Sequence, residues 1–272
     1  MLATSANTSF SMAPGPIVIC LVLLVGYVVR WRRVRASSEG ARGAPVDRLV
    51  AWVTGVLLIA VALISPIDTL ADQVFAMHMV QHVILLDLVP ILLIVGLTKV
   101  ILRPVARQVV DLERALGPVA HPAFAVVLYV GLTWAWHIPA LYDAALEHSA
   151  VHVLEHVCFL SIGLLYWWHL LSPVRGRHLT GLTPVAYMAS TKVFVGLLGI
   201  FLTFAPHALY GFYENGPRVW GLKPGDDQAL AGAIMAIEQS IVMGIALAYL
   251  FVRALTESEL EEQRAERYGP AA

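Results

Sequence analysis

Residues 75–97 read FAMHMVQHVILLDLVPILLIVGL, and this stretch decides the fold class of the chain. An almost uninterrupted apolar run of this length is long enough for an α-helix to cross the hydrocarbon core of a bilayer, which is about 30 Å thick. His78 and His82 lie four residues apart and therefore share one face of that helix. Imidazoles inside a membrane span are costly and usually functional. The stretch thus predicts a membrane helix with a functional site near its beginning.

Six further apolar runs have a similar character. They cover residues 17–31, 49–64, 123–136, 151–171, 184–205 and 229–252. The chain of 272 residues is 58% hydrophobic and only 14% charged, too little charge to cover a soluble domain of this size. We therefore expect an all-α polytopic membrane protein with a bundle of seven transmembrane helices. Residues 1–16 would form an N-terminal segment, 17–253 the membrane domain and 254–272 a C-terminal tail.

The loops differ sharply in positive charge. The first, third and fifth loops hold Arg30, Arg32, Arg33, Arg35, Arg42, Arg48, Lys99, Arg103, Arg107, Arg114, Arg175 and Arg177, whereas the even loops hold only Arg218 and Lys223. The positive-inside rule then predicts an N-terminus outside and a C-terminus in the cytoplasm. Arginines follow the first apolar run rather than precede it, which favours a retained helix over a cleaved signal peptide. A net charge of −1 gives no reason to expect a nucleic-acid partner.

This topology sorts the ten histidines by membrane face. The outer face receives His78, His82, His137, His148, His152, His156 and His207, and the inner side receives His121, His169 and His178. Because histidine positions played no part in deriving the topology, their clustering is an independent observation. It predicts one histidine-rich site at the outer face.

Metal binding is the chemistry that this pattern favours. His152 and His156 repeat the i, i+4 spacing of His78 and His82, so two facing pairs would supply four nitrogen ligands. The candidate auxiliary groups are His137, His207, Asp227 and Met235, and Asp227 or Glu155 could orient imidazoles. Sulfur from Met77, Met79 or Met235 would favour Cu(I), although Met77 and Met79 cannot both face the side of His78. We expect a copper site that weakens below about pH 6, where imidazole becomes protonated.

Simpler interpretations exist for several of these residues. A single histidine at a helix end, such as His137, His148 or His207, is most often an interfacial or hydrogen-bonded residue. Met77 and Met79 are common packing residues. Cys20 and Cys158 occupy separate apolar runs, which favours small core residues over a disulfide.

Three charged residues lie inside the apolar runs. Asp87 and Lys192 are at depths that would allow a salt bridge between helices, and a proton path is the alternative. Glu238 has no obvious partner in the sequence and is expected to be protonated or to face a polar cavity. Pro90 is expected to kink the third helix.

Several short motifs together resemble one family. They are Ser65-Pro66-Ile67-Asp68, Met77-His78-Met79-Val80-Gln81-His82, Trp136-His137-Ile138-Pro139 with Tyr142, His152 with Glu155-His156 and Trp167-Trp168, and residues 227–235. The pattern, over about residues 50–252, is similar to the multi-span CtaG family of assembly factors for caa-type cytochrome c oxidases. The resemblance implies a non-enzymatic, multi-pass protein of the bacterial plasma membrane. Its partners would be oxidase subunits, the lipid bilayer and other copper chaperones.

The residues themselves leave other functions open. One histidine from each helix could clamp a b-type haem, and the intramembrane charges could serve a metal transporter. A metal-dependent membrane hydrolase or oxidase is disfavoured because the chain has neither HExxH nor GxSxG. The preferred interpretation is an oxidase assembly factor that holds copper at the outer face and delivers it to the oxidase.

Overall fold

The structure, a computed structural model, describes residues 5–174, 179 and 181–269. Arg175, Arg177 and His178, which entered the topology argument, lie outside the described residues. The fold is 80% helical, with no strand in the part of the chain that is described. The all-α prediction is confirmed.

Seven long helices form the bundle. They are α1 (Pro14–Arg35), α2 (Val46–Leu63), α3 (Phe75–Gly96), α4 (Pro122–Trp136), α5 (Ser149–Leu171), α6 (Thr183–Phe204) and α7 (Pro224–Tyr268). Short helices in the connections cover Gly40–Gly43, Pro66–Ala71, Lys99–Leu102, Ala106–Leu116, Gly117–Ala120, Pro139–Glu147 and Gly211–Asn215. The helix bounds lie within five residues of the predicted runs, except at the C-terminus, where α7 continues through the predicted tail.

Six of these helices are long and apolar enough to cross a membrane, counted over the described residues. The exception is α4, whose 15 residues fall short of the roughly 20 that a span requires. A seventh span results only if α4 is joined to Ala106–Ala120, from which it is bent by 66°. The prediction of seven spans is therefore confirmed in part: the described residues contain six, or seven if the bent pair counts as one span.

Helix α3 is the central helix of the bundle. It packs against α2, α5 and α7, and about two thirds of it is buried. Helix α1 lies at the periphery and leaves Val18, Leu21, Val22 and Val25 exposed, as expected of side chains that face lipid. The helix that carries the first histidine pair is thus the most enclosed helix of the protein.

A π-helical segment, Ile84–Leu88, interrupts α3 just before Pro90. Proline has no backbone N–H to donate to the carbonyl four residues earlier, that of Leu86. The backbone of α5 approaches this carbonyl at Gly163, where a Cβ would collide with the Leu86 oxygen. The sequence correctly predicted a disturbance at Pro90, and the missing side chain at Gly163 turns it into a close helix–helix contact.

Helices α6 and α7 also cross at glycines. A Cβ at Gly199 would lie 2.9 Å from the Gly232 oxygen, and one at Gly232 would lie 2.5 Å from the Thr203 nitrogen. Small residues let membrane helices approach until their backbones touch. This crossing holds the start of α7, and with it Asp227 and Gln228, against the rest of the bundle.

The predicted salt bridge between Asp87 and Lys192 is wrong. Asp87 accepts hydrogen bonds from Tyr129, Trp167 and Gln239, and no ion pair joins it to Lys192 within the described residues. Uncharged donors on three other helices reach the carboxylate directly, so no cation is required to satisfy it. Cys20 and Cys158 are free, as predicted.

Candidate metal centre

The first turn of α3 is held in place by a carboxylate of α7. Phe75 and Ala76 carry backbone N–H groups that have no partner within the helix, and Asp227 of α7 accepts from both, at 2.8 and 2.9 Å. A carboxylate at this place also interacts favourably with the helix dipole. The contact fixes the first turn of α3 and therefore the position of His78 one turn further on.

Four side chains from α3 and α5 converge beside this turn. Each of His78, His152, Glu155 and His156 places a ligand atom within 4.8 Å of those of the other three. Metal–nitrogen bonds of about 2.0–2.1 Å separate tetrahedral ligand atoms by roughly 3.4 Å, so small side-chain movements would enclose an ion. The two predicted histidine pairs do face each other, with the rings of His78 and His152 stacked at 5.3 Å.

His82 joins the cluster through its neighbour on α3. Its Nε2 lies 2.7 Å from Nε2 of His78, and one of these nitrogens must carry a proton for the pair to form a hydrogen bond. The two carboxylate oxygens of Glu155 lie 3.6 Å from the same two nitrogens. His78, His82 and Glu155 are therefore three potential ligands that lie close together. The carboxylate of Glu155 would compensate the charge of a bound cation.

Several of these potential ligand atoms lack a hydrogen bond. Nε2 of His152, Nε2 of His156 and both carboxylate oxygens of Glu155 are buried without a hydrogen-bond partner. Buried polar atoms are almost always hydrogen-bonded, so a group of such exceptions offers donor atoms to which a ligand could bind. The donor set, imidazole with one carboxylate, fits a transition-metal ion.

Tyr213 determines which nitrogen of His78 faces the centre. Its hydroxyl donates to the Ala71 carbonyl at 2.6 Å and lies 3.3 Å from Nδ1 of His78. Burial raises the pKa of the Tyr213 hydroxyl well above its ordinary value, so the tyrosine keeps its single proton. Because that proton is used by Ala71, Nδ1–H of His78 must be the donor to Tyr213. The lone pair of His78 Nε2 is then directed towards the cluster, as a metal ligand requires.

The loop that carries Tyr213 is anchored by Asp143. Its carboxylate oxygens accept from the backbone N–H groups of Gly211 at 3.1 Å and Phe212 at 3.2 Å. Tyr142 packs against the His78 ring, and Phe75 packs against Tyr142 and Tyr213. Tyr142 and Tyr213 therefore bring two aromatic side chains into contact with His78.

His137 and Met79 form a second, adjoining pair of donor atoms. Nδ1 of His137 is 2.7 Å from the Thr133 carbonyl, which can only accept, so its Nε2 is unprotonated in the neutral ring. That Nε2 faces the sulfur of Met79 at 3.4 Å. The His137 ring lies 6.3 Å from that of His82. Both rings line a small cavity, and Met235 lines it too. Nitrogen and thioether together form a donor pair suited to Cu(I).

The remaining predicted site residues do not join the cluster. His207 is exposed, and its carbonyl, rather than its ring, accepts a hydrogen bond from Gln228. Both oxygens of Asp227 contact backbone N–H groups of α3, so this residue positions a helix instead of an imidazole. Of the methionines around His78, Met79 is buried at His137, and Met77 is partly buried and packs against the apolar cluster that contains Met79.

Glu155 lies closer to the histidines than its sequence position predicts. It was expected to orient imidazoles, yet it lies inside the cluster, completely buried. A signal for this position exists in the run His152-Val153-Leu154-Glu155-His156, because HxxEH places two zinc ligands and a glutamate on one helix in a class of zinc peptidases. Tyr213 has no comparable signal, since a loop brings it to the site from far along the chain.

Comparisons with known proteins identify one family. A protein-family model described as "Cytochrome c oxidase caa3 assembly factor" matches residues 25–257. The uncharacterized protein ML1998 of Mycobacterium leprae is 27% identical over 231 residues, which cover 79% of this chain and 34% of that protein. The uncharacterized proteins Mb0105 of Mycobacterium bovis and MT0111 of Mycobacterium tuberculosis are each 26% identical over 230 residues, with the same coverage. The chain thus spans about a third of the length of these relatives. No solved structure matches.

Proposed function

The chain belongs to the family of cytochrome c oxidase caa3 assembly factors, and we propose that it binds copper at the histidine cluster and helps to deliver it to the oxidase. The family resemblance suggested by the sequence motifs is confirmed, and it implies association with the oxidase. Copper as the cargo, and delivery as the task, are our proposals.

The observation that carries the proposal is the set of unsatisfied ligand atoms. His152, His156 and Glu155 hold polar atoms that are buried without hydrogen bonds, and they surround the Nε2 atoms of His78 and His82. Leaving such atoms unpaired costs free energy, on the order of 1–3 kcal/mol for each group. A bound cation would recover that cost and replace the proton between the two α3 imidazoles.

Copper is preferred over zinc because of the second donor pair. The sulfur of Met79 and Nε2 of His137 lie beside the cluster, and thioethers bind Cu(I) much better than Zn(II). Two adjoining sets of donors also offer an ion two positions, which suits a carrier that must release its cargo. Under the proposed topology, both sets lie near the outer face of the plasma membrane, with the N-terminus outside.

Haem binding receives less support from this geometry. The four ligand atoms of the cluster already lie within 4.8 Å of one another, and the cavity that adjoins His82 has a volume of about 20 Å³. That volume suits a water molecule and not a porphyrin. Hydrolysis by the HxxEH run would likewise need room for a substrate beside Glu155.

The proposal is tested by the metal content of the purified protein. We expect copper to copurify with the wild type and to be lost from His78→Ala/His82→Ala and from His152→Ala/His156→Ala, as measured by elemental analysis. Each double variant removes two nitrogens from one helix only, so loss in both would show that the two helices share one ion.

His148→Ala is the matched control. His148 is exposed and precedes α5, and its side chain makes no capping hydrogen bond. This variant should retain copper at the level of the wild type. Equal copper in the wild type and both double variants would contradict the proposal, and an absorption spectrum with a Soret band would replace it with haem binding.

A further inference from the structure

A second group of buried polar residues lies beyond the histidine cluster, further towards the C-terminal end of α3. Asp87 of α3 and Glu238 of α7 are both buried, as is Gln239 beside Glu238. The side-chain amide of Gln239 lies 3.3 Å from Asp87 Oδ2 and 2.9 Å from Glu238 Oε2, so the two carboxyl groups share one donor. Such a pair within a membrane span is expensive and requires an explanation.

The pair has no counter-charge. The ion pairs of the described residues involve neither Asp87 nor Glu238. Two neighbouring carboxylates without a cation repel each other, and a buried uncompensated charge is strongly unfavourable. Holding one proton between the two groups removes one of the charges.

The hydrogen bonds differ greatly between the two carboxyl groups. Asp87 accepts from Tyr129 of α4 at 2.7 Å and from Trp167 of α5 at 2.7 Å, in addition to Gln239. Donors directed at a carboxylate stabilise its charged form. Among the described residues, Glu238 accepts from one donor, the amide of Gln239, and no donor reaches its buried Oε1. The charge is therefore better placed on Asp87 and the proton on Glu238.

A small cavity connects this pair with the outer site. It measures about 20 Å³, and its lining includes His82, His137 and Met79 of the outer site together with Asp87 and Glu238. A polar cavity of roughly 10–15 Å³ or more can hold a water molecule that has two to four partners. Two atoms are available to hydrogen-bond such a water molecule, because Glu238 Oε1 and His82 Nδ1 are both buried without a hydrogen-bond partner.

We propose that Asp87 and Glu238 form a proton-binding site in which Glu238 is protonated and Asp87 is charged, and that the site exchanges its proton with the outer face through this cavity. The titratable groups around it are Tyr129 from α4, Tyr166 from α5, and His82 and His137 at the outer end; α6 contributes Val195 to the cavity wall. The site requires no metal, so it stands independently of copper binding.

Infrared spectroscopy of the chelator-treated protein at pH 7 tests the site directly. We expect the wild type to show the C=O band of a protonated carboxylic acid, Glu238→Gln to lose it, and Asp87→Asn to retain it at a shifted position. Transfer to D₂O should shift the wild-type band, because the proton exchanges through the cavity. Glu155→Gln should leave the band in place, which separates it from the other buried glutamate.

Four results would overturn the proposal. Absence of the band from the wild type would show that both groups are charged, and a band lost in Asp87→Asn but present in Glu238→Gln would place the proton on the wrong residue. A band that fails to shift in D₂O would exclude exchange. If Glu238→Gln does not fold, ¹³C-labelled glutamate in the wild type and in Glu155→Gln assigns the band instead, and a band that the label leaves unshifted overturns the assignment.

Discussion

Asp227 and Phe75 are 152 residues apart, yet the carboxylate of one accepts a hydrogen bond of 2.8 Å from the backbone N–H of the other. The contact joins the first turn of α7 to the first turn of α3. His78 follows three residues later, so the same contact determines where the first imidazole of the cluster lies. A residue that the sequence placed among auxiliary metal groups therefore acts on the helix that carries the ligands.

We expect Asp227→Ala to lower the free energy of unfolding by about 0.5–2 kcal/mol, the usual cost of losing a helix cap. The change leaves two backbone N–H groups at the start of α3 without an acceptor. Thermal unfolding in detergent measures the effect. Asp226→Ala is the control, since Asp226 is exposed in the same turn. Equal melting temperatures for the two variants would show that the cap contributes nothing.

Glu155→Gln should weaken copper binding without preventing it. The amide keeps the shape of the side chain and one acceptor oxygen, but it removes the negative charge that faces both His78 and His82. Mutation of a group that supports metal-binding histidines typically costs about 10–100-fold in affinity, and we expect a loss of this size. A competition titration with a Cu(I) chelator measures this change.

Glu147→Gln is the matched control for that titration, because Glu147 is exposed at the same end of the bundle. Its affinity should equal that of the wild type. If Glu155→Gln also binds as tightly as the wild type, the carboxylate is not part of the site.

Gly163→Ala should destabilise the protein, because the new Cβ would collide with the Leu86 carbonyl oxygen. Overpacking of this kind costs roughly 1–3 kcal/mol. Gly131→Ala is the control, since a Cβ there meets nothing within 4 Å and alanine favours the helix. The melting temperature should fall for the first variant and stay level or rise for the second. A fall of equal size in both would refute the close contact.

The proposed orientation predicts which positions are accessible from outside the cell. In a Cys20→Ala/Cys158→Ala background, Thr8→Cys should react with a membrane-impermeant maleimide in intact cells. Glu262→Cys should react only after the cells are permeabilised, because we place the C-terminal end of α7 in the cytoplasm. Labelling of Glu262→Cys in intact cells would contradict the proposed orientation and place the C-terminal end outside.

The sequence identified the histidine pairs correctly because their geometry is local. Four-residue spacing fixes the relative position of His78 and His82, and of His152 and His156, wherever the two helices lie. The charge bias of the loops placed both pairs at one end of the bundle, where the structure brings them together. Whether they bind copper stays a prediction.

Contacts between distant segments could not be predicted in the same way. Asp87 was assigned to Lys192 because both are charged and lie at similar depths, whereas its actual partners include Tyr129 and Trp167, whose uncharged donors give no pairing signal in a sequence. The contribution of Tyr213 was equally hidden, because a loop carries it to His78. Such contacts depend on how the helices pack.

The sequence by itself determined the helical membrane fold, the family and the two histidine pairs, since apolar length, loop charge and helical spacing follow from neighbouring residues alone. Only the tertiary structure decided that Glu155 lies within the cluster, that Asp227 caps α3, and that Asp87 and Glu238 share one amide. Each of these depends on the close packing of helices at positions such as Gly163 and Gly232, where backbone atoms touch. Burial then leaves polar atoms with only the partners that this packing supplies.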